Sequence, residues 1–256
     1  MAFLKLLRLA GHLLAGALTI LLLFPHLDAA ERGRRVTRWA VGMLAIFNIR
    51  VTTCGRPPMV RGGGAMLVSN HVSWLDIHIL HSLLPVRFIS KAEVQGWPLI
   101  GWLAQEVGTV FLVREKKSDA MRVNQVMSGH LRGGDLLALF PEGTTSDGRE
   151  VMPFYPSLFQ PAVQAGAEVW PVRLRYLDAE GRHSDVAAYF GDMSLGQSMW
   201  QIARQSRLFV EVEFLPMIPH EAGRGRRELA ALAEAAIRGA TGARGTAPGS
   251  DARLPA

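Results

Sequence analysis

The chain has 256 residues and a mass of 28.0 kDa, room for one or two domains with a sizeable core, and its 49% hydrophobic and 20% charged content excludes a largely disordered protein. Lys and Arg number 28 against 22 Asp and Glu, a net charge of +6 that favours anionic partners and leaves nucleic acid, anionic lipid and phosphorylated cofactors open. One cysteine, Cys54, excludes an intramolecular disulfide and a multi-cysteine zinc site.

The first element in chain order is apolar. Leu9 to Leu27 carries no charged side chain and is dense in Leu, Ala and Gly, about the length, roughly 20 residues, that crosses a bilayer's hydrocarbon core. Lys5 and Arg8 precede it as in a signal peptide, but Phe24, Pro25, His26 and Leu27 stand where a small-x-small cleavage site would fall, with only Ala29-Ala30 in its favour. A second apolar stretch, Trp39 to Ile49, follows Arg32, Arg34, Arg35 and Arg38. At about 11 residues it is too short to span but long enough to lie in or on a membrane. Basic residues flank the first segment at both ends, and Lys and Arg prefer the cytoplasmic side. Two topologies stay open: a re-entrant or interfacial helical pair with both ends cytoplasmic, or one transmembrane helix followed by a cytosolic domain. Either sets the chain beside anionic headgroups, where each basic residue adds about 1 kcal/mol of attraction. Residues 1–50 are therefore read as a membrane anchor of two apolar helices.

From Val51 the texture changes to short apolar runs between turn signals. Strands are expected at Val51–Thr53, Ala65–Ser69, Val86–Ser90, Thr109–Val113, Leu136–Phe140, Glu168–Tyr176, Val186–Phe190 and Leu208–Phe214. Gly55–Gly64 is a Pro/Gly loop, and helices are expected at Asp76–Leu84, stopped by Pro85, around Ser118–Leu131, and at Arg226–Arg238. The alternation predicts an α/β domain over residues 51–238, a mostly parallel sheet flanked by helices with its chemistry at the carboxyl ends of strands. Residues 239–256, rich in Gly, Ala and Pro, read as a disordered tail.

Polar clusters follow three of those strands. Ser69-Asn70-His71-Val72-Ser73-Trp74-Leu75-Asp76 comes directly after Ala65–Val68. Five steps of about 100° along one helix would separate His71 from Asp76. They meet only if His71 sits in the strand-to-helix turn and Asp76 at the helix N-terminus, where the dipole favours a carboxylate. Such a pair forms a general base, the carboxylate fixing the tautomer and stabilising the imidazolium; a turn histidine beside a helix cap is the plainer alternative. After Leu136–Phe140 comes Pro141-Glu142-Gly143-Thr144-Thr145-Ser146-Asp147-Gly148, a turn whose backbone N–H groups can converge on an anion, or an ordinary polar turn. After Thr109–Val113 comes Arg114, whose planar fork suits a phosphate, while Lys116 and Lys117 read as a solvated basic edge.

Taken in order, Asn70-His71-Val72-Ser73-Trp74-Leu75-Asp76, Gly108-Thr109-Val110-Phe111-Leu112-Val113-Arg114, Phe140-Pro141-Glu142-Gly143-Thr144 and Val169-Trp170-Pro171-Val172 resemble the four sequence blocks of the lysophosphatidate acyltransferase family. Lys91, Pro98 and Gly101 fall where that family carries a Lys-Pro-Gly pattern, and the resemblance covers roughly Val51 to Phe214. It implies an α/β glycerol-phosphate acyltransferase fold, an N-terminal two-helix anchor and placement at the cytoplasmic face of the inner membrane. It implies acyl transfer from acyl-CoA or acyl-carrier protein to the free hydroxyl of 1-acylglycerol-3-phosphate, with an anionic membrane as partner, no nucleic acid, no bound cofactor and no metal. Carried over residue by residue, His71 would be the base and Asp76 its orienter. Lys91, Arg114, Glu142, Gly143, Thr144 and Thr145 would bind the acceptor, and Pro171 would shape the site near the donor. One departure stands out: Thr145 occupies the position where the family usually carries Arg. A phosphate monoester would welcome that guanidinium, so lyso-ornithine lipid or a lysophospholipid stays open as acceptor.

The chemistry of the residues points the same way, since a positioned His contributes roughly 10²–10⁴ in rate to deprotonating a hydroxyl. A thioester needs no further activation, and backbone N–H donors would meet the oxyanion. Cys54 lies upstream of these motifs and reads as a packing or loop residue rather than an acyl carrier. Two other classes fit less well. A serine hydrolase using Ser69 or Ser73 would need a Gly-x-Ser-x-Gly elbow, which the chain lacks. A non-catalytic lipid-binding membrane protein would leave the His71 and Asp76 pair without a purpose.

Overall fold

The computed structural model describes residues 1–59, 63–112 and 117–240. The expected tail beyond 240 lies outside them, as do Arg114 and Lys116.

Two helices open the chain. α1 spans Ala2–Leu22 and a 3₁₀ turn, Phe24–His26, follows it. α2, Ala29–Phe47, starts where the Asp28 carboxylate accepts from Glu31 N at 2.7 Å, and stops at Asn48 in the left-handed region. The arginine patch thus lies within α2 rather than between two apolar helices. Among the described residues, α1 alone is long and apolar enough to cross a membrane. It is also joined to the rest of the molecule: Leu9 is buried with Met43, Leu44 and Phe47 of α2, and Lys5 Nζ donates to the Phe47 and Gln205 carbonyls at 3.1 and 2.7 Å.

The sheet contains β1 (Ile49–Gly55), β2 (Ala65–Ser69), β3 (Arg87–Lys91), β4 (Val110–Leu112), β5 (Leu136–Leu139), β6 (Glu168–Leu177) and β7 (Leu208–Phe214), in the order β1-β7-β6-β2-β5-β3-β4. Every neighbouring pair is parallel except β6 and β7, which makes this the mostly parallel α/β sheet the alternation predicts. β2 shows why its strands read as unbroken apolar runs. Ala65 and Leu67 pack on one face with α3 (Leu75–Leu83), while Met66 and Val68 pack on the other with α6 (Lys117–Arg132) and α9 (Arg226–Gly239).

One expected strand is absent. Val186–Phe190 is a turn and loop, because its backbone pairs with the loops above the sheet instead of with the sheet edge: Tyr189 N donates to the Val72 carbonyl at 2.9 Å. The short helices α4 (Ala92–Gln95), α5 (Ile100–Glu106), α7 (Gln160–Ala165) and α8 (Leu195–Arg204) were not foreseen, α4, α5 and α7 being too brief to carry a periodic signal.

Candidate active site

The carboxyl end of β2 carries Asn70 and His71 into the turn before α3, and Asp76 falls in the first turn of that helix. This is the arrangement the spacing requires. His71 Nδ1 lies 2.9 Å from Asp76 Oδ2, and the same oxygen accepts from Val72 N at 2.7 Å and Ser73 N at 2.9 Å. Asp76 is fully buried, and its other oxygen, Oδ1, accepts from the Tyr176 hydroxyl at 2.6 Å. A buried carboxylate survives only when paired and hydrogen-bonded, and these four donors meet that condition. Burial, together with the charge of Asp76, pushes the Tyr176 phenol well above its ordinary value, so it remains a donor. The bond at Nδ1 leaves Nε2 outside the pair with Asp76, and His71 lines the cavity. The imidazole is stacked flat on Phe140, ring centroids 3.8 Å apart and 6° between planes, which fixes its tilt.

Asn70 holds the turn from behind. Its Nδ2 donates to the Leu174 carbonyl at 3.0 Å and its Oδ1 accepts from Leu174 N at 2.8 Å, tying the turn to β6.

The loop after β5 supplies the second part of the site. Gly143 takes φ 71°, a conformation that favours glycine, and turns the chain so that Gly143, Thr144 and Thr145 line a cavity shared with His71. Ser146 N donates to the His71 carbonyl at 2.9 Å, binding the two loops together. The Thr145 hydroxyl donates to the Tyr189 carbonyl. Glu142 points the other way: it is 2% exposed, does not line the cavity, and accepts from His71 N through Oε1 at 3.3 Å. Burial, reinforced by the nearby negative charge of Asp76, raises its carboxyl to about 8.

The cavity encloses about 800 Å³ and runs from His71 beneath the N-terminal helices, between Leu13, Gly16 and Ile20 of α1 and Trp39 and Met43 of α2. Its walls are chiefly apolar, and Arg35 and Arg38 of α2 also face it. His78, set edge-on to both Trp39 and Trp74, lies on its wall. Burial, with His81 and His12 nearby, holds His78 down at about 3.

The structure therefore brings His71, Gly143, Thr144 and Thr145 together around one cavity, with Asp76 and Glu142 buried behind His71. Lys91 ends β3, in register with Leu112 of β4. Pro171 is buried inside the sheet, in register with Val68, and does not line the cavity. Sequence reasoning missed Tyr176 and the role of Asn70 as a clamp. No local signal marks Tyr176, which lies on β6 one hundred residues from Asp76. Away from the cavity, and among the described residues, Cys54, Glu211 and Glu213 place potential metal-ligand atoms within 4.8 Å of one another; Glu211 is paired with Arg175 at 3.3 Å.

The sheet thus carries a His–Asp pair and a Gly-Thr-Thr loop at its carboxyl edge, beside an apolar cavity, and the class of protein follows from what this chain resembles. Residues 50–175 match the Acyltransferase family model. The chain is 36% identical over 185 residues to the 1-acyl-sn-glycerol-3-phosphate acyltransferase of Neisseria meningitidis, covering 72% of each. It is 38% identical over 218 residues to the lyso-ornithine lipid O-acyltransferase of Pseudomonas aeruginosa, covering 84% of this chain and 81% of that one. The fold matches the crystal structure of the 1-acyl-sn-glycerophosphate acyltransferase PlsC from Thermotoga maritima with a TM-score of 0.66 at 19% identity, over 93% of this chain and 95% of that one. The chain belongs to the lysophosphatidate acyltransferase family and is an acyltransferase of that type.

Proposed function

We propose that the protein is a membrane-bound enzyme that moves a fatty acyl group from acyl-CoA or acyl-carrier protein to the free hydroxyl of a lyso-lipid, with lysophosphatidate as first acceptor. The observation that carries this reading is the His71–Asp76 pair opening on a cavity of about 800 Å³ with mostly apolar walls. His71 Nε2 takes the hydroxyl proton, and the acceptor oxygen attacks the thioester carbonyl. The carbon–sulfur bond then breaks, and the proton leaves with the thiolate of the donor. Asp76 stabilises the imidazolium between those steps. Thr144 and Thr145 line the same cavity as His71, and their backbone N–H groups are the donors we assign to the oxyanion. Lys91 and Arg114, with Arg35 and Arg38 from the cavity wall, supply cations for the acceptor's phosphate.

A second reading, lyso-ornithine lipid as acceptor, is favoured by Thr145: its hydroxyl is engaged by the Tyr189 carbonyl, and no guanidinium extends from this loop position. The long match to the Pseudomonas aeruginosa enzyme supports the same reading. Thioester release measured with acyl-CoA and acyl-carrier-protein donors against lysophosphatidate, lyso-ornithine lipid and lysophosphatidylethanolamine decides between them. Release with none of these acceptors would reject the transferase reading.

Membrane attachment through α1, at the cytoplasmic face of the inner membrane, fits the basic residues Lys5 and Arg8 before the apolar segment and the arginines of α2 after it. The domain division proposed is an anchor over residues 1–50, a catalytic domain over 51–238 and a tail beyond.

A further inference from the structure

α5 is apolar on two sides. Ile100, Leu103, Ala104 and Val107, spaced as one helical face, line the cavity with Val94 of α4 and Trp97 of the connecting turn. On other sides of the same short segment, Leu99 is 45% and Trp102 37% exposed and neither lines the cavity, while Trp97 and Ile100 are both cavity wall and outer surface, at 40% and 36% exposed. A soluble surface rarely gathers four large apolar side chains within six residues.

The tip is built firmly. Gln95 Nε2 donates to Gln105 Oε1 at 3.3 Å, closing α4 onto α5, and Gly101 N donates to the Trp97 carbonyl at 2.9 Å. A Cβ at Gly101 would stand 2.1 Å from the Gln95 carbonyl oxygen, so glycine is needed for the two helices to approach. α5 also packs beside α1, whose outer face presents Leu14, Leu18, Leu21 and Leu22.

We propose that the segment Trp97–Trp102 is a second membrane contact, seated at the headgroup–acyl boundary of the leaflet that receives α1, and that it forms the lip over which an acyl chain passes from bilayer to cavity. The proposal rests on the membrane reading of α1. Two observations select a lipid surface as occupant. The helix that carries the patch lies in contact with α1, itself apolar and exposed, and Trp97 and Ile100 belong at once to the outer surface and to the cavity wall. An acyl chain entering there leaves hydrocarbon without crossing water only if lipid covers those side chains. Tryptophan is the side chain most at home at that depth, its ring apolar and its N–H able to reach water.

The test uses the full chain with vesicles of phosphatidylglycerol and phosphatidylcholine carrying brominated acyl chains, which quench nearby indoles. Quenching of the wild-type protein is expected, with Trp97→Phe and Trp102→Phe each removing part of the quenched emission and Trp170→Phe, on β6, removing none. In parallel, Leu99→Glu combined with Trp102→Glu should leave transfer between short-chain, water-soluble substrates within about twofold. The same variant should lower transfer to a long-chain acceptor embedded in vesicles about tenfold or more, since each large apolar side chain withdrawn from lipid is worth at least that much. An unchanged quenched fraction in Trp102→Phe, or equal rates of variant and wild type on vesicles, would overturn the lip while leaving α1 as the anchor. Wild-type protein that neither sediments with vesicles nor is quenched would instead overturn the membrane reading itself.

Discussion

The Tyr176 hydroxyl donates to Asp76 Oδ1 at 2.6 Å, joining the middle of the sheet to the carboxylate that holds His71. Asp76 is fully buried, so each of its donors offsets part of a large desolvation cost. Tyr176→Phe removes one charge-assisted bond and little volume. The expected loss is about 1.5–3 kcal/mol of stability, readable in denaturant midpoints. With Asp76 less well held, kcat should fall about tenfold with the acceptor KM nearly unchanged, as for a group that positions the base rather than touching substrate.

Removing the proposed base is more severe. His71→Ala should lower transfer by roughly 10²–10⁴, while vesicle binding is retained; full activity in a thioester-release assay would reject the base assignment. Asp76→Asn should cost comparably, because an amide in place of Oδ2 no longer accepts from Val72 N, Ser73 N and His71 Nδ1 together as an anion does.

Glu142 gives a pH signature. Its carboxyl titrates near 4.5 when unfolded and about 8 in the fold, raised by burial. Between those values the folded protein holds a proton that the unfolded chain has lost, so the stability contribution falls as pH rises through this window and levels off above about 8. Glu142→Gln keeps an acceptor for His71 N and carries no charge. Its thermal midpoint should exceed that of wild type at pH 8 and converge with it near pH 4.5. Activity should survive in Glu142→Gln and fall in Glu142→Ala, whereas a substrate-binding carboxylate would lose function in both.

Thr145→Arg tests the acceptor. The substitution breaks the bond to the Tyr189 carbonyl and sets a guanidinium on the wall of the cavity beside His71. The ratio of kcat/KM for lysophosphatidate over lyso-ornithine lipid should rise about tenfold or more, the worth of one charge-assisted hydrogen bond. An unchanged ratio would mean that the headgroup does not reach this loop.

Trimming α1 is a poor test of anchoring, since Leu9 and Lys5 are part of the folded body. Leu14, Leu18 and Leu21 are 61%, 47% and 64% exposed, so replacing all three with Ser leaves the core intact. Co-sedimentation with vesicles should drop sharply while the thermal midpoint moves by a few degrees at most.

Much of the site was legible in the linear chain. The unbroken apolar run Ala65–Val68 signals a strand buried on both faces, and a polar loop directly after it places His71 and Asp76 at a strand's carboxyl end. The five-residue offset then forces the turn geometry that is observed, because no continuous helix brings the two side chains together. Local composition and periodicity also mark the apolar N-terminal helix and most strands. What it encodes, however, is which face of an element is apolar, not which distant element will cover it. Tyr176, the inward turn of Glu142, the loop at Val186–Phe190 and the cavity beneath α1 and α2 all depend on β6 lying beside β2 and on helices from the two ends of the chain closing over one sheet. Those contacts are made across 71 to 200 residues, where strand order and packing decide the partner and no spacing in the sequence records it.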